Sequence, residues 1–148
     1  MPRASSLAAA PIPRVPRTLF AHAHRDQDMS FPVELHAAIN CIAYTIIPDN
    51  WNGLDALILW LIGAGTEQLT ITVTIDIGTC TEVYNIHTQT VAAINKNMVA
   101  STYACIDLTA LFAVVLANLA VRDILRVSVI ATTMDNTSRM IGIELQET

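Results

Sequence analysis

An all-β antiparallel sandwich is the fold class that this 148-residue chain predicts, and three observations carry the prediction. A ten-residue stretch alternates apolar and polar side chains without a break. Short apolar runs separated by turn-forming residues follow it. Proline, which breaks both helix and sheet, is confined almost entirely to the amino end. Composition adds a constraint on surface: charged residues make up 14% of the chain and apolar ones 53%, where about 25% charged is usual. So little charge is too little to cover a solitary domain, which implies that part of the surface faces protein, as in an obligate oligomer. A membrane span is the competing explanation and fails on length. The longest candidate, residues 108–121, has 14 residues and includes Asn118, whereas a spanning helix needs about 20.

The chain divides near residue 30. Five of its six prolines (Pro2, Pro11, Pro13, Pro16, Pro32) lie in the first 32 residues. That density forbids a regular helix and suits a sheet poorly, so residues 1–30 read as an extended arm and residues 31–148 as the sandwich domain. Residues 1–25 carry Arg3, Arg14, Arg17 and Arg25 and no acid, while residues 26–148 carry four bases against thirteen acids. A basic arm on an acidic body reads as a solvated tail, as a strap lying on a neighbouring subunit, or as a nucleic-acid arm. The strap is favoured, drawn by opposite charge and held by Leu19 and Phe20. Nucleic acid is disfavoured, because a few scattered arginines make a weak polyelectrolyte and the acidic body repels phosphate. Pro11, Pro13, Arg14, Pro16 and Arg17 interrupt any apolar signal-peptide core, so secretion by that route is not expected.

Along the body, residues 41–47 form an apolar strand closed by the Pro48–Gly53 turn residues. Residues 56–62 are apolar on both faces, Leu57, Leu59 and Leu61 alternating with Ala56, Ile58, Trp60 and Ile62. An antiparallel strand normally wets one face, so the outer side needs cover from a neighbour or from the arm. Gly63-Ala64-Gly65-Thr66 reads as a hairpin turn. In residues 68–77, Leu69, Ile71, Val73, Ile75 and Ile77 alternate with Gln68, Thr70, Thr72, Thr74 and Asp76, a half-buried strand. Residues 82–97 read as a strand with a long loop and residues 98–108 as another strand. Residues 108–119 place apolar side chains at helical spacing, a short helix or irregular crossover. Strands over residues 125–131 and 139–145, joined by the polar stretch 132–138, read as a hairpin. Seven or eight strands at this spacing make a sandwich.

Several of these segments resemble small jelly-roll proteins encoded by tailed bacteriophages. The turn Ile47-Pro48-Asp49-Asn50-Trp51-Asn52-Gly53 leads into an apolar strand bearing Trp60, as theirs does. Val121-Arg122-Asp123-Ile124-Leu125-Arg126-Val127 is similar to their Gly-Asp-initiated strand, with Arg122 standing where glycine is expected. Thr133-Met134-Asp135-Asn136-Thr137 resembles their Asp/Thr hairpin and Ile141-Gly142-Ile143-Glu144-Leu145 their closing strand. The resemblance covers about residues 40–146. It implies a jelly-roll-like sandwich of about eight strands that serves as a building block of a virion or filament.

No constellation amounts to an active site. His22, His24 and Asp26 share one face of an extended chain and are the best metal-ligand candidates, but no second cluster supports them. His36 and His87 are isolated. Ser5 and Ser6 lack a nucleophile elbow, and no Lys follows Gly63-Ala64-Gly65-Thr66 to make a phosphate loop. Cys41, Cys80 and Cys105 are too far apart for a zinc site or a disulfide framework and read as buried thiols. Glycan binding is the serious alternative, and Trp51, Tyr84 and Tyr103 are the aromatics left for a platform, since Trp60 reads as buried.

The expectation is therefore a non-enzymatic, self-assembling structural protein of a virus or phage particle (capsid, decoration or tail), with a carbohydrate-binding module or a non-viral extracellular filament subunit as alternatives. Its partners are copies of itself and other particle proteins, without nucleic acid, membrane, cofactor or metal, and it is made in a host cytoplasm without a signal peptide. The expected interface is Leu19, Phe20, Leu57, Leu59 and Leu61. On that reading Leu59→Glu blocks assembly and spares the β signature.

Overall fold

Side chains at alternate positions of a strand point to opposite faces, so period-two patterning decides which residues a sandwich encloses. The computed structural model describes residues 15–25, 32–83 and 86–148. Within them lie β1 (Thr18–His22), β2 (His24–Arg25), β3 (Val33–Glu34), β4 (Cys41–Ile46), β5 (Leu54–Ile62), β6 (Glu67–Gly78), β7 (His87–Met98), β8 (Tyr103–Asp107), the short helix α1 (Ala113–Leu116), β9 (Ile124–Thr133) and β10 (Arg139–Glu147). They form two antiparallel sheets. One has the order β1-β10-β5-β8, with β3 also pairing β10, and the other has the order β2-β4-β9-β6-β7. The expected all-β antiparallel sandwich is thus the observed architecture.

The core lies between the inward rows of the two sheets. Leu69, Ile71, Val73 and Ile75 of β6 and Leu125, Val127 and Val129 of β9 are fully buried, as their alternation predicts. Opposite them stand Leu57, Leu59 and Leu61 of β5 with Ile143 and Leu145 of β10, also without exposure. This overturns the expected contact face: Leu57, Leu59 and Leu61 fill the chain's own interior and are inaccessible to a neighbour. With two apolar rows on one strand, sequence alone does not say which row turns inward. A break in register between Met140 and Gly142 also flips one side chain, so that Met140 joins the core with Ile143 and Leu145.

Connectivity differs from the hairpin reading at two places. β9 and β10 lie in different sheets, so residues 134–138 carry the chain across the sandwich. The buried Glu67 carboxylate secures this crossing, accepting from the Asn136 backbone N–H at 2.9 Å and the Ser138 hydroxyl at 2.8 Å. β5 and β6 also lie in different sheets, and Gly63-Ala64-Gly65-Thr66 is a crossing, not a hairpin turn. Gly63 is there because its backbone meets the Val99 carbonyl, where a Cβ would lie 2.4 Å from the oxygen. The strand expected over residues 98–108 is shorter, because Met98 ends β7 and β8 begins at Tyr103. α1 lies within the segment expected to be a helix or crossover.

The expected arm is also divided. Thr18–His22 pairs with β10 of the same chain, and after Ala23 the next two residues pair with β4 in the opposite sheet. Residues 18–25 are therefore edge strands of the chain's own sandwich, one in each sheet, and the domain begins before residue 31. Residues 1–14 and 26–30 of the expected arm lie outside the described residues.

Candidate functional site

The outward row of β5 is the most apolar strip on the β1-β10-β5-β8 sheet. Ile58, Trp60 and Ile62 are half-buried, and each is flanked by the outward residues of adjacent strands. Trp60 stands between Gly142 and Cys105, Ile58 between Glu144 and Asp107, and Ile62 between Arg139 and Tyr103. On the far side of β10, Phe20 pairs with Glu144 and His22 with Gly142. Gly142 is the gap that lets β1 close in: a Cβ there would lie 2.1 Å from the Ala21 carbonyl oxygen and 3.0 Å from the Phe20 ring. Phe20 is 43% exposed and Tyr103 71% exposed, large values for aromatic side chains outside the core.

Polar groups on this face are mostly engaged by one another. The Trp60 indole N–H donates to Glu144 Oε2 at 2.8 Å, and Gln146 donates to Glu144 Oε1 at 2.7 Å. Arg139 pairs with Glu34 at 3.1 Å at the lower margin. Asp107 accepts from the Thr109 hydroxyl and backbone N–H, and these hydrogen bonds, the hydroxyl's first, hold its carboxyl below the usual carboxylate range. The result is an apolar strip along β5 with Tyr103 beside Ile62 on β8, and with Phe20 set across β10 beyond Glu144 and Gly142.

A second constellation closes the end of the sandwich where β1 begins. The Glu147 side chain is fully buried and accepts from the Arg17 backbone N–H at 3.0 Å, from its Nε at 3.1 Å and from the Asn52 N–H at 2.7 Å. Arg17 also donates to Asn50 Oδ1 and to the Asn50 carbonyl, and its guanidinium lies 5.6 Å from the centre of the Trp51 ring. The hydrogen bond to Glu147 raises the Arg17 pKa above its already high value. Sequence reading missed this lock because its members are separated by 130 positions between Arg17 and Glu147. Nearby, Arg122 takes a left-handed φ of 68° and pairs with Asp49, whose carboxyl is held low chiefly by that hydrogen bond.

The residues singled out from sequence fall as follows. Of the expected interface, Leu19 turns inward against the core and Phe20 turns outward onto the apolar strip. Trp60 is half-buried on the outer face, not enclosed. His22 stacks edge-on with Phe20, and His24, in the other sheet, with Tyr44; Asp26 lies outside the described residues. Among the described residues no group of three potential metal ligands comes together. His36 accepts from the Ala38 N–H, and His87 opens β7. Ser5, Ser6 and Tyr84 lie outside the described residues. Trp51 is 9% exposed, which leaves Tyr103 as the exposed member of the expected aromatic platform. Cys41 is buried as expected, but Cys80 and Cys105 are exposed, Cys80 in a turn and Cys105 on the apolar strip. No described helix is long and apolar enough to cross a membrane. No protein-family model matches this chain, and no curated protein matches it.

Proposed function

We propose that this chain is a non-enzymatic structural protein that assembles with copies of itself, packing the outer face of its β1-β10-β5-β8 sheet against a second copy, as a component of a virus or phage particle. The observation that carries the reading is the strip Ile58, Trp60 and Ile62 flanked by Phe20 and Tyr103. Exposed and half-buried aromatic residues beside aliphatic ones are enriched in protein interfaces and in their energetically dominant positions. Scarce charge over the whole chain supports the same reading. The particle role draws support from the phage-like turn at Ile47–Gly53, written out above, and from the strand orders β1-β10-β5-β8 and β4-β9-β6-β7. In those orders the chain passes repeatedly from one sheet to the other, as a jelly roll does. Of the amino-terminal arm, Phe20 is the side chain that contributes to the assembly face.

Light scattering with electron microscopy of the same sample tests the proposal, together with thiol labelling. A defined oligomer or particle is expected, in which Cys105 on the strip is shielded and Cys80 in its turn still reacts. A monodisperse monomer with both thiols reactive at every concentration sinks the assembly reading and leaves the exposed aromatics to be tried against glycans.

A further inference from the structure

Gly78 ends β6, and nothing in the backbone calls for a glycine there. Gly53 and Gly142 have positive φ, and a Cβ on Gly63 or Gly65 would lie 2.4 Å from the Val99 carbonyl oxygen or 2.5 Å from the Asn136 side chain. Gly78 has neither constraint: its φ is not left-handed, and a Cβ there would make ordinary contacts of 3.5 and 3.9 Å with the Glu82 side chain. Glycine weakens a strand through entropy and lost packing. One that the backbone does not need marks a place where something else approaches the sheet.

The missing side chain leaves a hollow on the outer face of the β2-β4-β9-β6-β7 sheet, a cavity of about 140 Å³ lined by Asp76, Thr79, Glu82, Ile124 and Arg126 around Gly78. It is smaller than the roughly 300–1,000 Å³ of a drug-sized pocket and suits one group of side-chain size. The Asp76 side chain is 7% exposed, and Arg126 donates to its Oδ2 from Nε at 3.0 Å and from Nη2 at 2.7 Å. Among the described residues Oδ1 accepts no hydrogen bond, and the Trp51 indole nitrogen is the sole sealed side-chain polar atom without a partner. Oδ1 therefore keeps a surface, on the cavity that Asp76 lines. Glu82 Oε2 accepts from the Thr79 backbone N–H at 2.9 Å, which leaves Oε1 as a second acceptor. Two carboxylates against one guanidinium give the wall one net negative charge, so a positively charged donor makes its strongest hydrogen bonds there. A compact ammonium suits the site better than a second guanidinium, whose planar fork would meet Arg126. Ile124, 44% exposed, stands in register beside Gly78, and Ile46, 62% exposed, beside Ile124. This apolar run leads out of the hollow, where an aliphatic stem and the chain bearing it can lie.

We infer that the Gly78 hollow is a binding site for a lysine side chain of a partner protein, its ammonium donating to Asp76 Oδ1 and Glu82 Oε1 and its methylenes lying along Ile124. A free diamine shares the ammonium but would set its second charge over Ile124 and Ile46, which favours lysine. The site is on the sheet opposite the proposed assembly face, and the inference stands apart from assembly.

Saturation-transfer NMR with Nα-acetyl-lysine methylamide, on the full chain in whatever assembly it forms, tests it. Saturable transfer to the lysine methylenes is expected, with affinity at least about tenfold above that of the norleucine analogue, which keeps the stem and lacks the ammonium. Gly78→Val fills the hollow and is expected to abolish the transfer while melting no lower than the parent, because valine suits a strand better than glycine. Glu82→Gln, at an exposed position where folding is not at stake, is expected to weaken binding about threefold. Absence of saturable transfer, equal affinity for the lysine and norleucine compounds, or parent-like binding by either variant overturns the inference. Tighter binding of cadaverine than of the lysine compound overturns it as well, because the ligand is then a free diamine. Light scattering on the same samples reports assembly separately, so failure of either proposal is recognised without the other.

Discussion

Replacing Leu59 with lysine and, in a separate chain, Ile58 with lysine puts the same side chain on opposite sides of β5 at adjacent positions. Leu59 has no exposure and sits between Ile143 and Ile106 of the flanking strands. Losing a buried leucine costs about 2–5 kcal/mol. An unpaired ammonium in its place adds several more, or gives up its proton. The total, about 5 kcal/mol or above, equals most of the roughly 5–15 kcal/mol that holds a domain together. Ile58 is half-buried on the outer face, in register with Glu144 on one side and Asp107 on the other. A lysine there meets two carboxylates, and the fold is expected to stay within about 1 kcal/mol of the parent. Urea denaturation followed by far-UV circular dichroism reads the first effect and light scattering the second. Leu59→Lys is expected to be unfolded or nearly so in buffer. Ile58→Lys is expected to keep the parent midpoint and remain a monomer. A parent-like midpoint for Leu59→Lys refutes the assignment of the inner row, and parent-like assembly of Ile58→Lys refutes the outer face as the contact.

Glu147→Ala strips the buried acceptor from Arg17 and Asn52 and is expected to destabilise by about 3 kcal/mol, measurable as a lowered urea midpoint. Arg122→Gly removes a side chain from a left-handed φ of 68° at the expense of an exposed ion pair with Asp49. Because exposed pairs contribute little and glycine accepts this φ freely, thermal melting is expected to rise, and a clear fall means that the pair outweighs the backbone. Asp107 is held below its unfolded pKa by Thr109. Its stabilising effect is therefore present above the unfolded value of about 4 and lost as pH falls through the folded value. The stability gap between the parent and Asp107→Asn is expected to be constant from pH 7 to about 5 and to close below about 4; a gap that persists at pH 2 removes Asp107 from the acid response.

How far the chain was legible depended on whether a feature is local. Alternation at Leu69, Ile71, Val73 and Ile75 identified β6 and its buried side, because a polar Thr row leaves one choice of face. β5 offered no such choice: Leu57, Leu59 and Leu61 and the row Ile58, Trp60 and Ile62 are equally apolar, and only the opposing sheet decides which is enclosed. The break at Met140–Gly142 likewise exchanges the faces of β10 through backbone geometry that no side-chain pattern announces. β9 and β10 read as a hairpin because a polar link of this length suits one, but the buried Glu67, 67 positions or more away, holds that link as a crossing between sheets.

Local patterning thus sufficed for the β-sandwich class and for most of its strands, since both follow from period-two alternation and composition. The tertiary structure decided which leucines are core, that Thr18–Arg25 belongs to the sandwich, and that Arg17, Glu147 and Trp51 meet at one end. Those outcomes depend on pairing between segments far apart in the chain, such as Leu59 with Ile143 and Arg17 with Glu147, where the free energy lies in contacts that no local window of the chain contains.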